Sequence, residues 1–199
     1  MPTGVHLRDV RKQLFEAAER VLLREGPNAL TSRAVTAEAD VAKGVLHRHF
    51  TDFDEFLAEL VKERIARLAD QSAILEASAG TQTVAVNLTD ALTDLFDPVS
   101  VALTSLVFFR DELRSRLRRP GDGLPFLREA REMLATYLKA ERAQGRIAAD
   151  ANVDSLSLSL IGASHLLFAG RRRHTLPDPT ELEKLVVTVI ADVVQRRLL

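Results

Sequence analysis

The 199-residue chain contains no cysteine and no tryptophan, one tyrosine and two methionines. Without cysteine it can build neither a disulfide framework nor a thiolate metal site. Aromatic residues make up only 5% of it. Its apolar content lies in Leu-, Ala- and Val-rich stretches, which lean towards helix. No apolar run reaches the roughly 18 residues that a membrane-spanning helix needs. The opening MPTGVHLRDV lacks the long apolar core of a signal peptide, so the expectation is a cytoplasmic protein with no membrane partner. Neither sign of charge is in excess: 27 Lys and Arg face 28 Asp and Glu, a net charge of −1. That excludes a wholly basic nucleic-acid-binding coat but not a local basic patch. Catalytic signatures are missing as well. There is no Gly-x-Ser-x-Gly elbow, phosphate-binding glycine loop or His-Glu-x-x-His, and Gly121-Asp-Gly123 reads as a plain loop. His47 and His49, two apart, diverge on a helix and make a poor metal pair. Asp154, Ser159 and His165 are not brought together by helical spacing. The expectation is therefore no enzyme, no cofactor and no metal.

The residues present, 46% hydrophobic and 28% charged, describe a folded chain long enough for one large domain or two small ones. Nearly all of it reads as amphipathic helix. Leu7, Val10, Leu14, Ala18, Val21 and Leu22 recur at helical spacing up to the stop signal Gly26-Pro27. Thr31 is placed to cap a short helix through Ala39. Asp40 and Val41 make a turn, and a second short helix runs from about Lys43 to His49. A longer helix opens at Thr51 or Asp52 and carries Phe53, Phe56, Leu57, Leu60, Val61, Ile65 and Leu68. After Gly80 comes a helix with Val84, Leu88, Ala91, Leu92 and Leu95. Asp97-Pro98 opens another that is read as continuous from Val99 to Leu117, ending in the loop RRPGDGLP. One more ends near Gly145, and the last two span about 152–171 and 178–198. The reading is all-α, about nine helices, with no convincing strand.

Two short helices joined by a tight turn after a longer helix suggest a helix-turn-helix. Val35 and Ala39 face inwards from the first short helix, and Val41, Leu46 and Phe50 pin the second. Lys43, Gly44, Val45, His47 and Arg48 are left on an outer surface. Gly44 lets a backbone come close, Val45 can touch a thymine methyl, and Lys43 and Arg48 can reach phosphates or guanine edges. Residues 1–50 hold eight Lys and Arg against six acids, together with three of the five histidines.

The run from Gly26 to Leu57, GPNALTSRAVTAEADVAKGVLHRHFTDFDEFL, resembles the DNA-binding segment of the TetR family of bacterial transcriptional regulators. Agreeing in order are the Gly-x-x-x-Leu-Thr approach, Arg33, Val41, Lys43-Gly44, His49-Phe50 and the acidic-apolar start of the next helix. The resemblance implies that Thr31 and Arg33 anchor the first short helix on the phosphate backbone. By the same resemblance Lys43, Gly44 and Val45 open the recognition helix, and His47, Arg48 and His49 lie against the backbone. Four positions depart from the family. Asp40 replaces the turn glycine, Ala42 a Ser or Thr, His47 a Tyr and Phe53 a Lys. Together they predict a weaker grip on the DNA backbone.

These readings divide the chain into a three-helix DNA-binding head, residues 1–51, and a helical effector-binding and dimerisation domain, residues 52–199. The last two helices are rich enough in apolar residues to pair with their copies in a four-helix dimer interface, as they do in TetR-like proteins. The stripes that suggest it are Leu156, Leu160, Ala163 and Leu167, followed by Leu182, Val186, Val189, Ile190 and Val193. Such a homodimer would hold two recognition helices about 34 Å apart, matching a palindromic double-stranded operator. In the centre, Arg110 interrupts the apolar stripe of Leu103, Leu106 and Leu113, and His165 lies on the face of Phe168. With Leu106, Phe109, Phe126, Met133 and Tyr137 they are candidate walls for a small-molecule effector, Arg110 hinting at an anionic group. An ion pair with a nearby acid is the competing fate of Arg110, as solvation at a helix end is of Arg171-Arg172-Arg173-His174. The functional expectation is a DNA-binding transcriptional regulator, a repressor released from its operator by effector. The alternative is a ligand-binding or protein-interaction dimer whose head no longer reads DNA.

Overall fold

Thr31, Asp52, Thr83, Asp97 and Asp178 each stand immediately before a helix, and each side chain accepts a hydrogen bond from a backbone N–H of the first turn. Helices open there because the short oxygen-bearing side chain replaces a partner those N–H groups otherwise lack. Pro98 and Pro179 follow two of these caps at positions where no N–H is needed. The structure is a computed structural model that describes residues 4–117, 125–169 and 177–194, with side chains from residue 10 onwards. The RRPGDGLP loop up to Leu124, the basic run 171–174 and residues 195–199, the tail of the expected last helix, lie outside the described residues.

Among the described residues ten α-helices follow in order: α1 (Gly4–Glu25), α2 (Ser32–Glu38), α3 (Gly44–His49), α4 (Phe53–Ala77), α5 (Val84–Leu95), α6 (Pro98–Phe109), α7 (Asp111–Leu117), α8 (Pro125–Ala143), α9 (Val153–Ala169) and α10 (Pro179–Ile190). The only strand-like pairing among the described residues is an isolated antiparallel bridge, Ile147 with Val194. No single described helix is long and apolar enough to cross a membrane.

Two boundaries differ from the sequence reading. The helix expected from Val99 to Leu117 breaks at Arg110, whose backbone is extended (φ −115°, ψ 101°). No proline or glycine causes the break. It lets α7 turn so that Leu113 is fully buried in the core around α1, α4 and α6. Arg116 then reaches the Asp52 carboxylate at 2.9 Å, and Arg114 donates to the carbonyl of Phe108, on the last turn of α6. The final helix stops at Ile190, short of the expected 198, because the chain turns to bring Val194 against Ile147.

Two apolar clusters organise the packing. One gathers Leu14, Phe15, Val21, Leu30, Val35, Leu46 and Phe50 with the first half of α4, and takes in Leu103 and Leu106 of α6. The other is built on α5, α8, α9 and α10 and receives Leu68 and Leu75 from the second half of α4. Helix α4 thus contributes one half to each core. Arg64, at its middle, pairs with Asp97 and lies 3.9 Å from Glu19. Burial pulls its guanidinium below its ordinary pKa. The seam between the two cores is therefore polar as well as apolar.

Candidate nucleic-acid interface

The outer corner formed by α2 and α3 is fixed from beneath. Val35 and Leu46 are fully buried, and Ala39 and Phe50 nearly so. The Phe50 ring lies 5.8 Å from Phe15 and 5.1 Å from Phe56, the latter edge-on, an arrangement that aromatic quadrupoles favour. The Gln13 side chain donates to the Ala39 carbonyl at 2.8 Å, tying the turn to α1. Asp40 takes the left-handed conformation there (φ 52°), the only non-glycine among the described residues with positive φ. The turn survives the loss of glycine because Asp tolerates this region better than most residues, at a cost. Asp40→Gly is expected to raise stability by about 0.5–1 kcal/mol, measured by urea unfolding, with the helical spectrum unchanged.

The cations of the head divide into two groups. Arg11 is spent on structure: its guanidinium stacks 4.5 Å over Phe50 and meets Glu59 at 3.4 Å. Arg20 and Arg24 both bind Glu38, at 2.7 and 2.8 Å. These contacts draw the Glu38 carboxyl below the usual carboxylate range, the Arg20 hydrogen bond contributing most. Arg33, Lys43 and Arg48 differ. All three are exposed, and among the described residues none has an ion-pair partner.

Around them stand the other expected contacts. Thr31 is exposed and caps α2 by accepting from the Ala34 N–H at 3.1 Å. Ala42, Gly44 and His47 are exposed, and Val45 and His49 are half-buried. A Cβ on Gly44 would meet nothing within 4 Å. Nothing inside the protein therefore requires a glycine there, and the open space faces outwards. Phe53 does not face out. It stacks on Phe56 at 5.5 Å, with the Arg110 guanidinium 5.9 Å from its ring.

The eight residues expected to line one effector pocket stand in different surroundings among the described residues. Leu106 is buried in the apolar cluster shared by α1, α4 and α6. Phe126 borders a void of only about 10 Å³. Phe109 is 88% exposed at the end of α6. Arg110 lies 3.5 Å from Asp54, so the ion pair prevails over the pocket. Tyr137 is fully buried, and its hydroxyl donates to Glu141 at 2.6 Å. Burial, more than that bond, holds the phenol well above its usual pKa. His165 sits between the Phe96 and Phe108 rings, at 5.9 and 6.0 Å, and Phe168 stacks on Phe96. Burial depresses the imidazole. Of the eight, Met133 lines a half-open cleft of about 230 Å³ between α4, α5 and α8. Its other walls include Asn87, Asp90 and Asp94. The sequence held a signal for them: at i, i+3 and i+7 they share one face of α5, opposite the apolar stripe that drew attention.

The expected dimer stripes lie largely against the core of the single chain. Leu160, Leu182, Val186 and Ile190 are 0–1% exposed inside the single chain, and Leu156, Leu167, Val189 and Val193 pack against the same core. Ala163 is half-buried. Apolar periodicity marked the buried face of each helix, whereas the apolar surface left in solvent is Leu158 at 58% and Leu166 at 75%.

Residues 14–60 match the family described as bacterial regulatory proteins, tetR family. Over 68 residues the chain is 35% identical to the HTH-type transcriptional regulator PksA of Bacillus subtilis (strain 168), covering 33% of each protein. It is 37% identical over 51 residues to an uncharacterized HTH-type transcriptional regulator of Haemophilus influenzae, covering 26% of this chain and 27% of that one. The sequence match thus spans about a third or less of these relatives. Solved structures share the fold over nearly the whole chain. NemR of E. coli in its reduced form superposes with a TM-score of 0.74 at 15% identity, covering 94% of this chain and 98% of that one. SmeT, the repressor of the Stenotrophomonas maltophilia multidrug efflux pump SmeDEF, gives 0.63 at 17% identity, covering 95% and 92%.

Proposed function

We propose that this chain, whose residues 14–60 match the tetR family of bacterial regulatory proteins, is a homodimeric transcriptional regulator of that family that acts in the cytoplasm, binds a palindromic operator and leaves it when a small-molecule effector binds. The observation that carries this reading is the division of cations in the head. Arg33, Lys43 and Arg48 are exposed on the α2–α3 corner and unpaired among the described residues, while Arg11, Arg20 and Arg24 are held by acids. Unpaired cations on an exposed helix-turn-helix are available to phosphates and guanine edges. Residues 1–51 act as the reading head and residues 52–199 as the sensing and dimerising body. The name of SmeT as a repressor favours repression as the sign of control.

Helix α4 is the proposed transmission element, because its two halves belong to different cores. Arg110 and Arg116 hold its start, at Asp54 and Asp52, to the end of α6 and to α7. An effector that binds one setting of α4 more tightly changes the separation of the two heads. Hydroxyl-radical footprinting on a bound duplex tests the reading. Two symmetric protected half-sites, centred about one helical turn or a multiple of it apart, are expected. A single protected half-site contradicts it.

Leu158, Gly162 and Leu166, at i, i+4 and i+8, form the exposed face of α9 proposed as the dimer contact. Phe108, 41% exposed and stacked on His165, extends it. Leu158→Arg with Leu166→Arg is expected to give monomers in sedimentation with an unchanged helical spectrum. A persistent dimer would place the contact elsewhere. The competing reading, a dimer whose head no longer reads DNA, draws on two observations: Ala42 presents no hydroxyl to a phosphate, and Phe53 is turned into the aromatic cluster.

A further inference from the structure

We propose that the cleft between α4, α5 and α8 binds a small organic cation, an ammonium group carried on a compact apolar body, and that this cation is the effector; the second clause rests on the regulator reading above. The cleft has room for such a molecule, at about 230 Å³, and is open on one side. Leu75, Ala91 and Met133 supply an apolar wall, and Ile74 stands 72% exposed at the rim. A large aliphatic side chain left in water beside a cavity is placed to close over an apolar ligand.

Its polar groups select the charge. Asn87 is only 5% exposed and lines the cleft. Its Nδ2 donates to the Ser78 carbonyl at 3.2 Å and to the Tyr137 hydroxyl at 3.1 Å. With both hydrogens committed, the group it has left to offer is Oδ1, an acceptor that takes no hydrogen bond within the described residues. Asp90 and Asp94, one helical turn apart, add two carboxylates, both exposed and without an ion-pair partner among the described residues. Among the described residues no Lys, Arg or His lines the space. A site whose fixed polar atom is an acceptor, with two unpaired carboxylates beside it, favours a donor that carries positive charge.

The floor is held in place. Behind Asn87, the fully buried Glu141 accepts from the Tyr137 hydroxyl at 2.6 Å and from the Gly80 N–H at 3.3 Å, and lies 2.9 Å from the Arg146 guanidinium. Arg146 also donates to the Gln82 carbonyl at the edge of the cleft. The charge of Arg146 is thereby matched by Glu141 and does not offset Asp90 and Asp94. The network fixes the loop between α4 and α5, so the site is built before its ligand arrives. Because one wall belongs to the second half of α4, drawing a cation between α4 and α5 acts on the helix that also carries the head.

The test uses three probes of similar size on the purified full chain: phenethylammonium, 3-phenylpropanol and 3-phenylpropionate. Amide NMR shifts give both affinity and location. The cation should bind about tenfold more tightly than the alcohol, the size of one partly screened charge contact, and the carboxylate should bind most weakly. Shifts should concentrate on Asn87, Asp90, Ala91 and Asp94. Asp90→Asn with Asp94→Asn should bring cation and alcohol to equal affinity with no change in thermal midpoint. Absence of cation binding, shifts elsewhere, or an anion bound as tightly as the cation would overturn the site. DNA binding of the same preparation separates the two clauses. A cation preference in a protein that binds no DNA leaves the site standing and removes the regulator reading. A protein that binds DNA with undiminished affinity when the cation is bound overturns the effector role alone.

Discussion

Replacing Lys43 and Arg48 together with alanine will lower operator affinity by about two to three orders of magnitude, taking each base-edge or phosphate contact as worth about 1–3 kcal/mol. The slope of log affinity against log salt should fall by about two, because two side chains that release counterions on binding are removed. Both side chains are exposed and unpaired within the described residues, so the thermal midpoint and the sedimentation should be unchanged. The contrast between lost binding and retained fold is the diagnostic feature. Unchanged DNA affinity would favour the reading in which the head has ceased to read DNA. Arg20→Ala is the informative control, because it loosens the hold on Glu38 and acts through the fold rather than at the interface.

The second large effect is structural. Phe56 is fully buried and its ring meets Phe15, Phe50 and Phe53 at 5.5, 5.1 and 5.5 Å. Phe56→Ala removes the ring at which α1, α3 and the start of α4 converge, at an expected cost of about 3–5 kcal/mol. For a chain of this size that lowers the thermal midpoint by roughly 10 °C. DNA binding should fall with it, because Phe50 sets the base of the α2–α3 corner. Phe53→Ala should cost less, since Phe53 is only half-buried. Equal losses at the two positions in thermal unfolding would mean that the cluster is not centred on Phe56.

The head was legible in the sequence because each of its decisions is local. Thr31 caps, Asp40 turns, and Val35, Ala39, Leu46 and Phe50 alternate with exposed residues at helical spacing. The break at Arg110 was not legible. The apolar stripe from Val99 to Leu117 runs on at helical period, and only the packing of Leu113 and the ion pair of Arg116 with Asp52 turn the chain there. The apolar stripes of α9 and α10 do not by themselves identify a dimer contact. Periodicity says which face of a helix is buried, not whether the neighbour is the same chain or another, and Leu160, Val186 and Ile190 met their own core. The cleft escaped because its walls are the polar face of α5 and the end of α4, which apolar spacing does not mark. Arg110 invited an anionic ligand because helical spacing alone does not bring Asp54 near it. In the folded chain the two carboxylates without ion-pair partners among the described residues, Asp90 and Asp94, carry the stronger argument.

The most direct measurement is selection of bound sequences from a random duplex pool by the purified protein, with affinity then followed against salt. The account predicts enrichment of a palindrome and a steep salt dependence that Lys43→Ala with Arg48→Ala makes shallower. No enriched sequence, with weak salt-sensitive binding alone, would contradict it.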